Sequence, residues 1–377
     1  MVLILVILCA GACVLSFAGT GVSMILSTRL GAMDSAPIAG QIKNESRAIP
    51  NTGGIGIVLA IWLPMLIGLL SISILEPDQL TGWLEPISGV WQDLQERVGL
   101  GWGFLLCIVG LHALGLIDDR RPMGAVSKLI IMLIPALIFV VVFDTRLLTM
   151  LDSYVGGSWL SIILSVVWIV AITNAMNFID NMDGLSAGIA AIAGALFLVA
   201  AVLNAQWFIG VTLALLVGGC VGFLIWNFPP AKIFMGDGGS LVIGFVLAIT
   251  TVRTTYIPAE SSGPVSGGWY SLFMPIAVLA VPLYDFVSVT MIRIWQGKSP
   301  FVGDLQHFSH RLRDRGLGNR GTILVIYALT ASSGIAGILL TRAQDWEAVL
   351  LGVQVLLVIA ALAVFEYRSR HLTKSGA

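Results

Sequence analysis

Eleven stretches of 17 to 23 residues, each with at most one charged side chain, recur along this 377-residue chain. They cover 2–24, 52–74, 101–117, 126–143, 158–176, 187–203, 206–226, 238–256, 270–292, 322–341 and 346–365. A hydrocarbon core roughly 30 Å thick is crossed by about 20 apolar residues in a helix. There, only helices or closed barrels satisfy every backbone N–H and C=O. A barrel needs alternating segments of about ten residues, which these continuous runs are not. The expected fold is therefore an all-α polytopic integral membrane protein with about 11 transmembrane helices. Charged residues make up 11% of the chain, against about 25% in a soluble domain. The short connections leave no room for a separate soluble domain. A single transmembrane domain over 1–377 is expected, with a His/Arg loop at 293–321.

Cys9, Cys13, Cys107 and Cys220 all lie inside apolar runs and show no metal-binding spacing, so they read as small packing residues. The first run lacks a basic segment before it and continues past the small-residue stretch "CAGAC" to Leu26. An uncleaved first span is expected.

Basic residues orient such a chain, because Lys and Arg accumulate on the cytoplasmic side. With the N-terminus outside, sixteen of the twenty basic residues fall on inner segments. Only Arg97, Arg146, Arg253 and Arg342 fall outside. The sequence thus predicts a periplasmic N-terminus and a cytoplasmic C-terminus.

On this topology five polar clusters share the cytoplasmic face: "RAIPNTGG" (47–54), "GLIDDRRP" (115–122), "NAMNFIDNMDGLSAG" (174–188), "WNFPPAKIFMGDGGS" (226–240) and "GDLQHFSHRLRDRG" (303–316). Carboxylates this close to a bilayer are expensive and need a partner. Asn177, Asp180 and Asp183 are spaced by three, which on a helix places them along one face. They suit a polar ligand or a hard cation, or else act as helix caps. Asp118 and Asp119 are adjacent acids, suited to a general base or a magnesium–phosphate site, or else a solvated helix end. Asp237 stands between glycines directly before a span, suited to Mg²⁺ or to capping the next helix. Asn227 lies ten residues earlier. His307 and His310, three apart, have no third zinc ligand at the usual spacing. With Arg311 they suit phosphate oxygens, or else belong to an ordinary basic loop. His112 and His371 read as structural. Carboxylates for a cation, helix ends and glycines for phosphate, and His/Arg donors are the parts phosphoryl transfer requires. A secondary transporter is the alternative of another class. It predicts internal repeats and mid-span charges, whereas these acids sit at span ends.

In this order the clusters resemble the polyprenyl-phosphate N-acetylhexosamine-1-phosphate transferase superfamily (glycosyltransferase family 4), over about residues 25 to 320. "NAMNFIDNMDGLSAG" and "FMGDGGSL" resemble that family's NxxNxxDGxDGLAxG and FMGDxGSL patterns. The resemblance implies transfer of a sugar-1-phosphate from a UDP-sugar donor to a polyprenyl phosphate acceptor, undecaprenyl phosphate in bacteria. The reaction would need Mg²⁺, with Mn²⁺ as an alternative, and release UMP at the cytoplasmic face of the bacterial inner (plasma) membrane. It implies that Asp118 and Asp119 handle the lipid phosphate and metal, and that Lys128 meets phosphate. Asn177, Asp180 and Asp183 would form the nucleotide-binding and catalytic segment. Asp237 would bind metal, with Asn227 before it. Arg47 would precede the Pro-x-x-Gly-Gly turn, and His307, His310 and Arg311 would form the His-rich loop. Asn181 replaces the usual Gly of the pattern. The loop reads "HFSHR" rather than three consecutive His, which favours the branch using smaller UDP-HexNAc donors, such as UDP-GlcNAc, over phospho-MurNAc-pentapeptide transferases. Membrane lipid is an expected partner, a second copy of the chain is left open, and nothing calls for nucleic acid.

Overall fold

A computed structural model describes residues 1–31, 49–254, 272–298 and 307–372. These residues are all-helical apart from turns, and ten of the helical segments are long and apolar enough to cross a membrane. They fall into two compact units, 1–31 with 49–254 and 272–298 with 307–372.

The first unit contains α1 (Val2–Leu30), α2 (Gly54–Ile74), α3 (Val98–Arg120), α4 (Ala125–Leu137), α5 (Trp159–Phe178), α6 (Leu185–Leu203), α7 (Trp207–Asn227) and α8 (Asp237–Thr254). The run at 101–117 is extended by three residues at each end. Asp118, Asp119 and Arg120 therefore belong to the last turn of α3.

Helix α8 is the least apolar of the ten segments and the most enclosed. It packs on α2, α3, α5, α6 and α7. Every residue from Gly238 to Thr254 except Arg253 is buried. A helix walled by protein rather than lipid can carry small and hydroxylated residues, which let neighbouring backbones approach. Thr250 Oγ1 returns to the Val246 carbonyl at 2.8 Å, and Thr251 Oγ1 accepts from Trp168 Nε1 of α5 at 2.9 Å.

Glycine sets these approaches. A Cβ on Gly115 of α3 would stand 2.2 Å from the Gly238 nitrogen, and one on Gly54 of α2 would stand 2.5 Å from the Gly239 Cα. Both α2 and α3 therefore touch the first turn of α8 backbone to backbone. On the other side of the unit, Gly218 and Gly222 of α7 admit the Cys9 and Cys13 carbonyls of α1. This small-xxx-small crossing fastens the first helix to the bundle. All four cysteines are free thiols.

In the second unit the run expected at 270–292 is broken. It forms α9 (Met274–Val278) and α10 (Ala280–Trp295) with Leu279 between them. Pro282 has no N–H for the Val278 carbonyl, and its ring crowds that oxygen. Among the described residues ten candidate spans and this interrupted run thus stand against the eleven apolar runs of the sequence. The unit continues with α11 (Phe308–Leu312), α12 (Gly318–Leu340) and α13 (Asp345–Leu372). Gly316, at φ 95°, makes the bend before α12.

Replacing Gly115 by Ala should cost about 1–3 kcal/mol through overpacking and lower the yield of monodisperse protein. Gly110→Ala, on the same helix with nothing within 4 Å, should change neither. Equal behaviour of the two variants in size-exclusion chromatography and SDS titration would contradict the α3–α8 contact.

Candidate active site

The site is built on the start of α8, whose first N–H groups have no partner within the helix. Asp119, from the last turn of α3, caps it. Its Oδ1 accepts the Asp237 N–H at 3.1 Å and the Asn51 Nδ2 at 3.1 Å. A carboxylate there also meets the positive end of the helix dipole. Gly236 precedes α8 at φ 72°, and a Cβ on it would fall 2.5 Å from Asp119 Oδ2 and 2.8 Å from Asn51 Oδ1. Only glycine allows both the turn and the cap. On the α3 side, His112 Nδ1 bonds the Gly238 carbonyl at 2.9 Å. The segment before α2 is tied in by Gly53 N–H and Gly54 N–H donating to the Phe234 and Met235 carbonyls, each at 2.9 Å. The glycines of "FMGDGGS" therefore bring neighbouring helices close to the backbone.

Asp237 points its carboxylate at Lys128 and Asn177. Lys128 Nζ contacts Asp237 Oδ2, lies 2.9 Å from Asp118 Oδ2, and reaches Asn177 Oδ1 at 3.4 Å. Asn177 Nδ2 donates to Asp237 Oδ1 at 2.9 Å and Ser240 Oγ at 2.8 Å. Asp118 spends its other oxygen on the Met123 N–H at 2.6 Å, closing the α3–α4 turn. Lys128 and Asp118 side chains are 14% and 13% exposed, and Asp237 is 30% exposed, so this ion-pair group is mostly out of water.

The helix expected to carry Asn177, Asp180 and Asp183 on one face ends at Phe178. Asn177 lies in its last turn, whereas Asp180 and Asp183 lie in the turn before α6. Closely spaced Asn and Asp bond their own backbone and favour such turns. Asn181 Nδ2 donates to the Phe178 carbonyl at 2.9 Å, and Gly184 reverses the chain at φ 75°. Asp183 Oδ2 accepts the Ala231 N–H at 3.0 Å. Asn227 is buried, with Oδ1 accepting the Gly184 N–H at 2.7 Å and Nδ2 donating to the Ile233 carbonyl at 2.8 Å. These two side chains lock the α5–α6 turn to the α7–α8 loop. Asp180 has no such tie. Burial pushes its carboxyl well above the usual carboxylate range, and the charges of Asp237, Asp119 and Asp183 raise it further.

Asp118 and Asp237 thus share the Lys128 ammonium, while Asp119 bonds the Asp237 N–H and Asp180 is close enough to feel the Asp119 and Asp237 charges. Among the described residues no three His, Cys, Asp or Glu side chains stand arranged to chelate a metal ion. Lys128 lies between Asp118 and Asp237. The donor chemistry nevertheless suits a hard cation, which takes carboxylate oxygens. Asp119 Oδ2 is buried with no hydrogen-bond partner, and the burial and acid–acid repulsion that raise the Asp180 carboxyl are what a cation would offset.

In the second unit, His307 Nδ1 bonds Asp285 Oδ2 at 2.8 Å, and the Phe308 N–H donates to Asp285 Oδ1 at 2.7 Å. The His307 and His310 ring centres are 6.3 Å apart, and Arg311 Nη2 reaches Ser288 Oγ at 3.5 Å. Arg47 and Asp304 lie outside the described residues.

Asn51, Ser240 and Asp285 were not singled out from the sequence. Asn51 and Ser240 sit inside quoted clusters, four residues after Arg47 and three after Asp237. Asp285 had a signal of its own, as the single acid in the apolar run at 270–292.

Residues 101–255 match the model of glycosyl transferase family 4. That segment carries every described site residue of the first unit except Asn51. The chain is 33% identical over 279 residues to a decaprenyl-phosphate N-acetylglucosaminephosphotransferase of Mycobacterium tuberculosis (strain ATCC 25618 / H37Rv), covering 67% of each chain. It is 29% identical over 324 residues to a probable undecaprenyl-phosphate N-acetylglucosaminyl 1-phosphate transferase of Bacillus subtilis (strain 168), covering 85% of this chain and 80% of that one. A phospho-N-acetylmuramoyl-pentapeptide-transferase of Desulforudis audaxviator (strain MP104C) is 35% identical over 188 residues, covering 46% of this chain and 54% of that one. The chain belongs to glycosyl transferase family 4.

Lys128→Met leaves Asp118 and Asp237 without their cation. Removing one partner of a buried pair costs about 3–5 kcal/mol, and SDS titration should show a loss of that order, partly restored by Mg²⁺. An unchanged unfolding midpoint would contradict the ion-pair geometry.

Proposed function

We infer that the protein transfers N-acetylglucosamine-1-phosphate from UDP-GlcNAc to undecaprenyl phosphate and releases UMP. This would be the first lipid-linked step of a cell-envelope polysaccharide, at the cytoplasmic face of a bacterial plasma membrane. The observation that carries the reading is the convergence of four polar clusters on the start of α8, in a chain whose long matches are to GlcNAc-phosphotransferases. The pentapeptide transferase match spans less than half of the chain, which favours the smaller donor. The distribution of basic residues supports the cytoplasmic placement. Against the transporter reading, the acids collect at helix ends rather than at mid-span.

Phosphoryl transfer asks the protein mainly for positioning and for charge. A phosphate oxygen of the acceptor lipid attacks the β-phosphorus of the donor. The new P–O bond forms as the bond to the bridging oxygen breaks, and UMP leaves with that electron pair. Asp237, Asp119 and Asp180 are the residues that would hold Mg²⁺, which when bound supplies positive charge to the diphosphate. Lys128 offers its ammonium to phosphate oxygens. Asp118 holds that ammonium and, by its place at the α3–α4 turn, orients the acceptor side. Asn177 keeps Asp237 aimed through its amide. Asp183 and Asn227 position the turn that carries Asp180. His307, His310, Arg311 and Arg47 are the donors assigned to substrate phosphates.

The test is UMP release by purified full-length protein supplied with Mg²⁺, undecaprenyl phosphate and UDP-GlcNAc, with UDP-GalNAc and UDP-MurNAc-pentapeptide in parallel. UMP should require both lipid and metal, stop with EDTA, and be fastest with UDP-GlcNAc. Asp237→Asn should lower the rate by at least about 100-fold, the scale of losing a charge-stabilising group, while the unfolding midpoint is kept. Near-normal turnover in that variant would refute the assignment of Asp237. Absence of UMP with every donor would refute the reaction.

A further inference from the structure

One carboxylate in the second unit has no part in the chemistry above. Asp285 lies in α10, in the apolar run at 270–292, and is 1% exposed. An acid so placed is costly unless it is paired. Both of its oxygens are used by consecutive residues, Oδ2 by His307 Nδ1 at 2.8 Å and Oδ1 by the Phe308 N–H at 2.7 Å. His307 is the N-cap position of α11, and its own side chain makes no capping bond there. The cap is supplied across the unit by Asp285. One turn further along α10, Ser288 Oγ meets Arg311 Nη2 at 3.5 Å. Beside the acid, the Tyr284 ring stands edge-on to Phe308, with centres 6.0 Å apart.

We propose that Asp285 is a positioning residue for His307, holding the ring proton on Nδ1 and seating α11 through the Phe308 N–H. This rests on the reading that His307 serves the transferase reaction. The chemistry follows from the two ring nitrogens. Nδ1 against a carboxylate carries the proton, so Nε2 is the acceptor nitrogen of the neutral ring and a second donor of the imidazolium. The same carboxylate fixes the backbone of Phe308, and hence where α11 begins. Ring orientation and helix start are therefore set together, from α10.

Asp285→Asn separates the two roles. The Asn carbonyl still accepts the Phe308 N–H, but its amide offers N–H to Nδ1 and drives the ring proton to Nε2. Histidine-labelled full-length protein has only four His, so ¹⁵N NMR can read the tautomer directly. Wild type should show protonated Nδ1 at His307, identified by its loss in His307→Gln, and Asp285→Asn should show protonated Nε2. In the UMP assay, Asp285→Asn should lower kcat about 10- to 100-fold, the scale seen when a carboxylate orienting a metal-ligating His is removed. KM for UDP-GlcNAc and the unfolding midpoint should stay near wild type. The double variant with His307→Gln should be no slower than His307→Gln alone. An unchanged tautomer, or losses that multiply in the double variant, would overturn the proposal. If wild type turns over no donor, the transferase reading fails by itself, and the tautomer measurement still decides the Asp285–His307 pair.

Discussion

A helix enclosed by protein begins at Asp237, and the carboxylate of Asp119 caps it. Much of the first unit follows from this contact. The orphan N–H groups of a buried helix start must find acceptors, and an acid from α3 can reach them only if α3 and α2 lie against the first turn of α8. That requires glycine at 54, 115 and 236, where a Cβ would collide with backbone or with the cap. Capping, close packing and the placement of the acids are one arrangement. The residue that starts the helix is also the residue that faces Lys128 and Asn177.

The arrangement gathers more negative charge than the protein neutralises. Lys128 is shared between Asp118 and Asp237, while Asp119 keeps a buried oxygen without a partner and Asp180 is held toward its neutral form. Such crowding is costly for a fold by itself. It becomes reasonable if the site works with a cation and an anionic diphosphate, where each added charge is met by an opposite one. Asp183 and Asn227 stand apart from this crowd. Their polar atoms bond the loop backbone, and their contribution is to hold the α5–α6 turn in place.

Much of this was legible in the chain. Apolar runs predicted the helices because a bilayer demands length and continuity, and α8 was read as one more span although it faces protein on nearly every side. The clusters at 115–122, 174–188 and 226–240 were visible because polar residues are rare in so apolar a sequence. What each of them touches was not visible. Nothing local tells that Asp119 caps a helix 118 residues away, or that Asn51 shares its oxygen. Helical spacing suggested one face for Asn177, Asp180 and Asp183, but turn-forming Asn and Asp with Gly184 ended the helix first. The break at Leu279 was carried by Pro282, inside a run whose hydrophobicity hid it. Asp285 carried a signal as the single acid of its apolar run, but its partner His307 lies 22 residues further on, beyond what spacing can tell.

The acids at the start of α8 are proposed to form one cation-binding centre. The most direct measurement is Mn²⁺ titration of the purified full-length chain, followed by EPR of the free ion. Wild type should take up Mn²⁺ that excess Mg²⁺ displaces, and Asp237→Asn, with the same unfolding midpoint, should not. Equal uptake by both proteins would rule out a cation centre built on Asp237.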